Sequence, residues 1–324
     1  MKRRDFLMLS AAALLPRSVF AQTGEWPARP LRLVVPYGAG NQADQVARLL
    51  AEYLSQGWGR SVIVDNRPGA GGALGTAQLV RAPADGYTLG VVALAALAVT
   101  PHLTKPPPYD PLRDLTPIAG ITASRSFLVV RADLPARTFA ELIALARARP
   151  PDKPLLYYSA GSGTIPHLNV ELLSRALAFR ALHVPYRTSG AGVVDLIGGR
   201  VDISMDSTNV TLPHVRSGAL RALMFNGPRR FAGLPDVPSL SEAAPGVSLP
   251  NAWQGVFAPR GVDARLVSRI AKAVGDAQAT PGFGEKLPLG SETYSAGPKD
   301  LGVQMRTDSE RLGRLVIELG LKAD

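Results

Sequence analysis

Cysteine is absent from the 324-residue chain. That excludes disulfide bonds, thiolate nucleophiles and every cysteine-ligated metal site. Histidine is scarce too. His102, His167, His183 and His214 lie far apart and none forms a His-Glu-x-x-His pair, so no metal centre is expected. Aromatic residues make up 6% and charged residues 19%. The arginines are dispersed, with no basic patch interleaved with aromatics, which argues against a nucleic-acid partner. What the charge does supply is a formal excess of +10, a mild field that draws anions.

The N-terminus carries a charged start (Lys2, Arg3, Arg4), an apolar stretch from Phe6 to Leu15, and small residues at Val19 and Ala21. This is the pattern of a cleavable export signal over residues 1–21, with Gln22 as the mature start. The apolar stretch is well short of the ~20 residues that span a bilayer. Arg3-Arg4-Asp5-Phe6-Leu7 is also similar to a twin-arginine signal; an ordinary secretory signal stays open as the alternative.

The mature chain is long enough for two domains, since single cores rarely grow past ~250–300 residues. Its pattern is α/β. Leu31–Val35 reads as a strand, and Val46, Leu49, Leu50 and Leu54 recur at helical spacing within 41–54. Ser61–Val64 is the next strand, closed by the turn cluster Asp65-Asn66-Arg67-Pro68-Gly69. Gly71–Val80 is helical, and the near-continuous apolar run Tyr87–Val99 suits a strand buried on both faces. A second α/β series follows. It has strands at Phe127–Val130, Leu155–Tyr158, Val201–Met205 and Leu220–Phe225, and helices at Phe139–Ala148, Leu168–Leu177, 190–197 and 210–215. The expected division is lobe I from 22–123 and 250–324, and lobe II from 124–249.

Both halves repeat strand, glycine loop, helix: Val35-Pro36-Tyr37-Gly38-Ala39-Gly40-Asn41 in one, Tyr158-Ser159-Ala160-Gly161-Ser162-Gly163-Thr164 in the other. A helix start leaves backbone N–H groups unpartnered, and its dipole favours negative charge. Glycine lets that backbone come close to a ligand. Ligands of open α/β sheets sit beyond the carboxyl ends of the strands. Two such loops predict a cleft between two lobes that takes an anion. Asp44, in the first turn after its loop, fits a structural carboxylate satisfying helix N–H groups. Asp206, after its strand, fits an acceptor for a ligand hydroxyl, amine or water. His167 fits a loop brace, and Trp253 the core. Arg125 and Arg187 are candidates for a second ligand carboxylate.

At this point a resemblance carries weight. The ordered words Trp26-Pro27-Ala28-Arg29-Pro30, Asp65-Asn66-Arg67-Pro68-Gly69-Ala70-Gly71-Gly72, Asp85-Gly86-Tyr87-Thr88-Leu89, Ser159–Thr164, His183-Val184-Pro185-Tyr186, Gly198-Gly199-Arg200-Val201-Asp202 and Leu234-Pro235-Asp236-Val237-Pro238 span the mature region. Together the chain resembles the periplasmic receptors of tripartite tricarboxylate transporters, the Bug family. The resemblance implies a type II periplasmic-binding-protein fold, with two α/β lobes joined by crossing strands and a ligand cleft between them. It implies a periplasmic, monomeric binding protein without cofactor or catalytic residues. Its partners would be a small carboxylate, held by backbone amides, hydroxyls and waters, and membrane transporter subunits. The expected ligand-binding residues are Tyr37, Gly38, Ala39, Gly40, Asn41, Asp44 and Ala93 in lobe I. In lobe II they are Ser159, Gly161, Ser162, Gly163, Thr164, His167, Tyr186 and Asp206.

The chain departs from the family pattern where hydroxyl residues commonly stand: it has Asn41 and Ala43 before Asp44, and Ala93-Leu94-Ala95-Ala96-Leu97 after the third strand. The expectation is a monocarboxylate with an apolar or aromatic body. The rival is an exported nucleotide-dependent oxidoreductase, because Gly38-x-Gly40-x-x-Ala43 followed by Asp65 imitates a dinucleotide fingerprint. Pro36-Tyr37 between strand and loop, and the weakness of such a pattern alone, weigh against it.

Overall fold

The computed structural model describes residues 26–103 and 106–321. The expected export signal at 1–21 lies outside them. The first strand, β1 (Leu31–Val35), is followed by α1 (Gln42–Trp58). Asn41 caps that helix, accepting the Ala43 amide at 2.8 Å, and left-handed Gly59 ends it. Val46, Leu50 and Leu54 are buried on one face, as their spacing dictates. Next come β2 (Val62–Asn66), a tight turn at Gly69–Gly72, and α2 (Ala73–Val80).

The apolar run that reads as one strand is two elements. It divides into β3 (Thr88–Ala93) and α3 (Leu94–Ala98), with α4 (Thr100–Leu103) beyond. Val91 and Val92 suit a strand, whereas leucine and alanine in 94–98 are strong helix formers. Burial on all sides hides that switch of period. After α5 (Pro111–Asp114), capped by Asp110, β4 (Leu115–Ser124) crosses the first sheet.

The second series holds β5 (Ser126–Arg131), α6 (Phe139–Ala148), β6 (Leu155–Ser159), α7 (Ile165–Ala176) and β7 (Ala181–Pro185). It continues with α8 (Ser189–Ile197), β8 (Ile203–Ser207), α9 (Thr208–Arg216), β9 (Leu220–Phe225) and α10 (Leu240–Ala243). Helix α7 begins earlier than periodicity indicates because Pro166 sits in its first turn, where a missing N–H costs nothing. Strand β8 runs two residues later than its apolar core, taking in Asp206 and Ser207. The chain returns through β10 (Ala252–Pro259), α11 (Ala264–Ala279), α12 (Phe283–Lys286), β11 (Ser291–Thr293) and α13 (Pro298–Glu318).

Two sheets result, ordered β11-β4-β10-β3-β1-β2 and β7-β6-β8-β5-β9. In the first, β1 is parallel to β2 and β3. In the second, β6 is parallel to β7 and β8. The two α/β lobes of the expected fold are thus present. The chain changes sheet at Arg125 and again between Phe225 and Ala252. Asn226 ties the two crossings, donating its amide to Ser126 O (2.8 Å) and its side chain to Pro250 O (3.2 Å).

Each sheet has its own apolar core, such as Leu33, Val46 and Val256 in one and Leu128, Tyr157 and Met205 in the other. Burying one such side chain stabilises by about 1.5–3 kcal/mol. A third cluster joins the lobes: Ile165 and Leu168 of α7 pack with Leu97, Val99, Leu301 and Leu312. Trp253, buried as expected, donates its indole N–H to Asp308 at 2.8 Å within that layer.

Candidate functional site between the lobes

Parallel pairing sets the carboxyl ends of β1, β2 and β3 together, and likewise those of β6, β7 and β8. Each strand end feeds a helix start. The two sets of loops meet. A Cβ added at Gly71 would lie 3.7 Å from Ser162 O, and one added at Gly163 would overlap Leu103 and come within 3.1 Å of Val99. The element that touches the Ser159–Thr164 loop is therefore the Gly69–Gly72 turn with α4. The sequence reading has Asp65–Gly69 as a turn cluster and Gly71–Val80 as helical, and it missed this position. Its signal was present in four successive residues with positive φ, including Ala70 at 47°, a conformation rarely taken without cause.

The loop at Gly38–Asn41 is held from within. Gly40 (φ 79°) donates its amide to Asp44 Oδ2 at 2.9 Å, and Asn41 N donates to Gly38 O at 3.2 Å. Asp44 is buried, and it also accepts from Asn66 Nδ2 (3.0 Å) and Arg48 Nε (2.9 Å). Burial pushes its carboxyl up, but the bonds from Arg48, Gly40 and Asn66 outweigh that and leave it below the usual carboxylate range. This is the structural role its first-turn position implied. Gly38 is half-exposed, and Ala39, Gly40 and Asn41 are exposed. Tyr37 turns its hydroxyl inward, where it is buried beside Gly72 and Ala96, so its phenol is raised by desolvation. Ala93 is the half-buried residue at which β3 passes into α3.

The second loop is braced differently. Ser159 Oγ donates to Gly161 O (2.9 Å) and accepts from Gly161 N (3.2 Å), and it lies 2.7 Å from His183 Nε2. Thr164 Oγ1 donates to Gly161 O at 2.8 Å, and Gly163 N donates to His167 Nδ1 at 3.0 Å. His167 is thus a loop brace, as expected, and its ring stacks on His183 with centroids 3.8 Å apart. Gly161 (φ 115°) and Gly163 (φ 76°) adopt backbone that other residues resist.

Tyr186 and Asp206 flank this loop. The Tyr186 hydroxyl donates to Asp195 Oδ2 at 2.6 Å, which commits its one proton to α8 and leaves the oxygen only as an acceptor. Asp206 is 2% exposed; its Oδ1 accepts from Ser207 N at 2.7 Å and its Oδ2 is buried without a partner. Burial pushes its carboxyl up, against the lowering influence of the nearby Ser189 and Tyr158 hydroxyls and the bonds from Ser207. Arg125 pairs with Glu292 Oε1 at 3.1 Å, so its guanidinium is engaged at the sheet crossing, while Arg187 is exposed. Asp65, the acidic residue of the dinucleotide-like pattern, is paired with Arg67 (2.9 Å) and Arg32 (3.4 Å), which occupies the group a ribose would need.

Among the described residues no cluster of three potential metal ligands occurs, and no helix is long and apolar enough to cross a membrane. The family model described as "Tripartite tricarboxylate transporter family receptor" matches residues 46–321. A UPF0065 protein of Bordetella bronchiseptica is 34% identical over 317 residues, covering 97% of this chain and 93% of that one. A solved R. palustris structure with adipate is 30% identical with a TM-score of 0.85, covering 92% of this chain and 99% of that one. MatC from Rhodopseudomonas palustris, with bound malate, is 28% identical with a TM-score of 0.81, covering 90% and 99%.

Proposed function

Because this chain belongs to the tripartite tricarboxylate transporter receptor family, we propose that it captures one small carboxylate between its lobes in the periplasm and hands it to a membrane transporter. Membership makes it a solute-binding protein and not an enzyme, which sets the oxidoreductase reading aside. The observation that carries the site is the approach of the Ser159–Thr164 loop to Gly71 and Leu103 across the lobes.

The ligand carboxylate docks on those donors of the Ser159–Thr164 loop and backbone amides of the Gly38–Asn41 loop that are not spent on the internal bonds shaping the loops. A helix start contributes about 0.3–1 kcal/mol when exposed and ~2 when half-buried, whereas micromolar affinity requires about 8. Lobe closure, with exclusion of water and further hydrogen bonds, supplies the remainder. The Gly69–Gly72 turn forms part of the closing surface.

The ligand body lies against Ala93, the half-buried start of an apolar stretch without hydroxyls whose next residues, Leu94, Ala95 and Ala96, are buried behind it. This favours a monocarboxylate with an apolar or aromatic body. Relatives with adipate and with malate bracket the chemistry between apolar and polar bodies. The receptor works as a monomer after removal of residues 1–21 on export.

Isothermal titration of the mature protein with benzoate, hexanoate, citrate and malate tests the reading. Binding of benzoate or hexanoate with little heat from citrate is the expected result. Tight citrate or malate binding with none for the apolar acids contradicts the ligand class.

A further inference from the structure

The second loop is held by two imidazoles whose bonds tolerate protons differently. His167 Nδ1 accepts the Gly163 amide at 3.0 Å, so that nitrogen carries no proton. Adding one there replaces an acceptor by a donor and breaks the bond that fixes Gly163. His183 faces Ser159 instead, Nε2 to Oγ 2.7 Å. The roles in that contact follow the tautomer: with the Ser159 hydroxyl proton directed to Gly161 O, His183 Nε2–H is the donor. An imidazolium at His183 keeps this bond unchanged.

Two further observations point the same way. His167 is 4% exposed, whereas His183 is only half-buried, and burial disfavours the charged form. The rings lie parallel at 3.8 Å with 12° between planes, so a charge on one suppresses a charge on the other. Tyr157 of β6 packs beside both rings, its centroid 5.0 Å from His183 and 6.1 Å from His167, and donates its hydroxyl to Glu171 of α7 at 2.5 Å. Tyr157 and Glu171 are thus titratable groups that β6 and α7 place beside the pair. From α4, the group against Gly163 is the apolar Leu103.

We propose that the stacked pair divides its labour: His183 takes a proton, while His167 stays neutral and positions Gly163. Resting on the reading of Ser159–Thr164 as a carboxylate site, the division couples anion capture to protonation of His183. A cation forms behind the loop without disturbing its shape, and by linkage a bound anion raises the proton affinity of His183.

The test is a pH titration of the imidazole and amide resonances of the mature, ligand-free protein by NMR, with His102 and His214 as internal references. The expected result is a proton uptake at His183 between about pH 8 and pH 5, with His167 held in its Nε2–H form and the Gly163 amide shift constant. Titration of His167 first, or movement of the Gly163 amide with it, overturns the proposal. His167→Asn keeps an acceptor and leaves Gly163 in place, whereas His167→Leu moves its resonance.

The coupling is read with adipate as probe. The His183 midpoint rises when adipate binds, and adipate binds about threefold more tightly near pH 6 than near pH 8. His183→Asn abolishes that gain. Adipate binding with no movement of the midpoint overturns the coupling. Absence of adipate binding counts instead against the ligand reading, and the ligand-free titration still decides between the two rings.

Discussion

Asp44 shapes the loop that precedes its own helix: its Oδ2 takes the Gly40 amide at 2.9 Å while Arg48 and Asn66 hold the rest of the carboxylate. The Gly38–Asn41 loop is therefore fixed before any ligand arrives, and pre-organisation of this kind lowers the ordering cost of binding.

Asp44→Asn removes a charge from these bonds and is expected to cost about 2 kcal/mol of stability. Because the folded carboxyl lies below the unfolded value of about 3.9, its contribution is complete above that value and fades as pH falls through the folded one. Urea melts of wild type and variant from neutral to acid pH should converge. A constant difference at all pH contradicts the assignment.

Asp206 behaves in the opposite sense. Burial raises its carboxyl, so the folded state holds that proton more tightly than the unfolded chain does. Stability from this group falls as pH rises from the unfolded value to the folded one, and the full penalty applies above that window. Asp206→Asn should raise the melting temperature at neutral pH, with the gain shrinking on acidification. Scanning calorimetry against pH checks this; a destabilised variant at neutral pH refutes it.

Gly163→Ala introduces a Cβ at φ 76° that overlaps Leu103 across the lobes. The expected outcome is a weakening of carboxylate binding by tenfold or more, roughly 1.4 kcal/mol, with the circular dichroism of the fold intact. Leu103→Ala relieves the overlap but leaves the left-handed strain, so it restores the affinity in part. Titration calorimetry of the single and double variants separates the two effects.

Trp253→Phe leaves Asp308 short of a buried donor, since its remaining partners are Gln304 at 2.8 Å and Arg311 at 3.5 Å. A loss of about 1–3 kcal/mol is expected, read by denaturant melts, with ligand affinity little changed.

The parts of the fold legible in the sequence were those written in local patterns. Val46, Leu50 and Leu54 gave α1 its buried face, and the glycine and hydroxyl residues of 159–164 marked a strand-to-helix loop. The run Tyr87–Val99 was misread because a segment buried on every side loses its periodicity, and only the change from valine to alanine marks the switch to α3. The engagement of Tyr186 with Asp195 and of Arg125 with Glu292 was invisible, since each depends on partners set by tertiary packing. For the same reason the packing of Ile165 and Leu168 against Val99 was beyond reach, and with it the Gly69–Gly72 turn as a cleft element.

The account is tested most directly by a crystal structure of the mature protein with the carboxylate that calorimetry selects. A carboxylate lying within hydrogen-bond distance, about 3 Å, of Ser159–Thr164 donors, with Gly38–Asn41 closing from the other lobe, is the predicted result. A ligand bound elsewhere, with both loops unchanged and facing solvent, contradicts it.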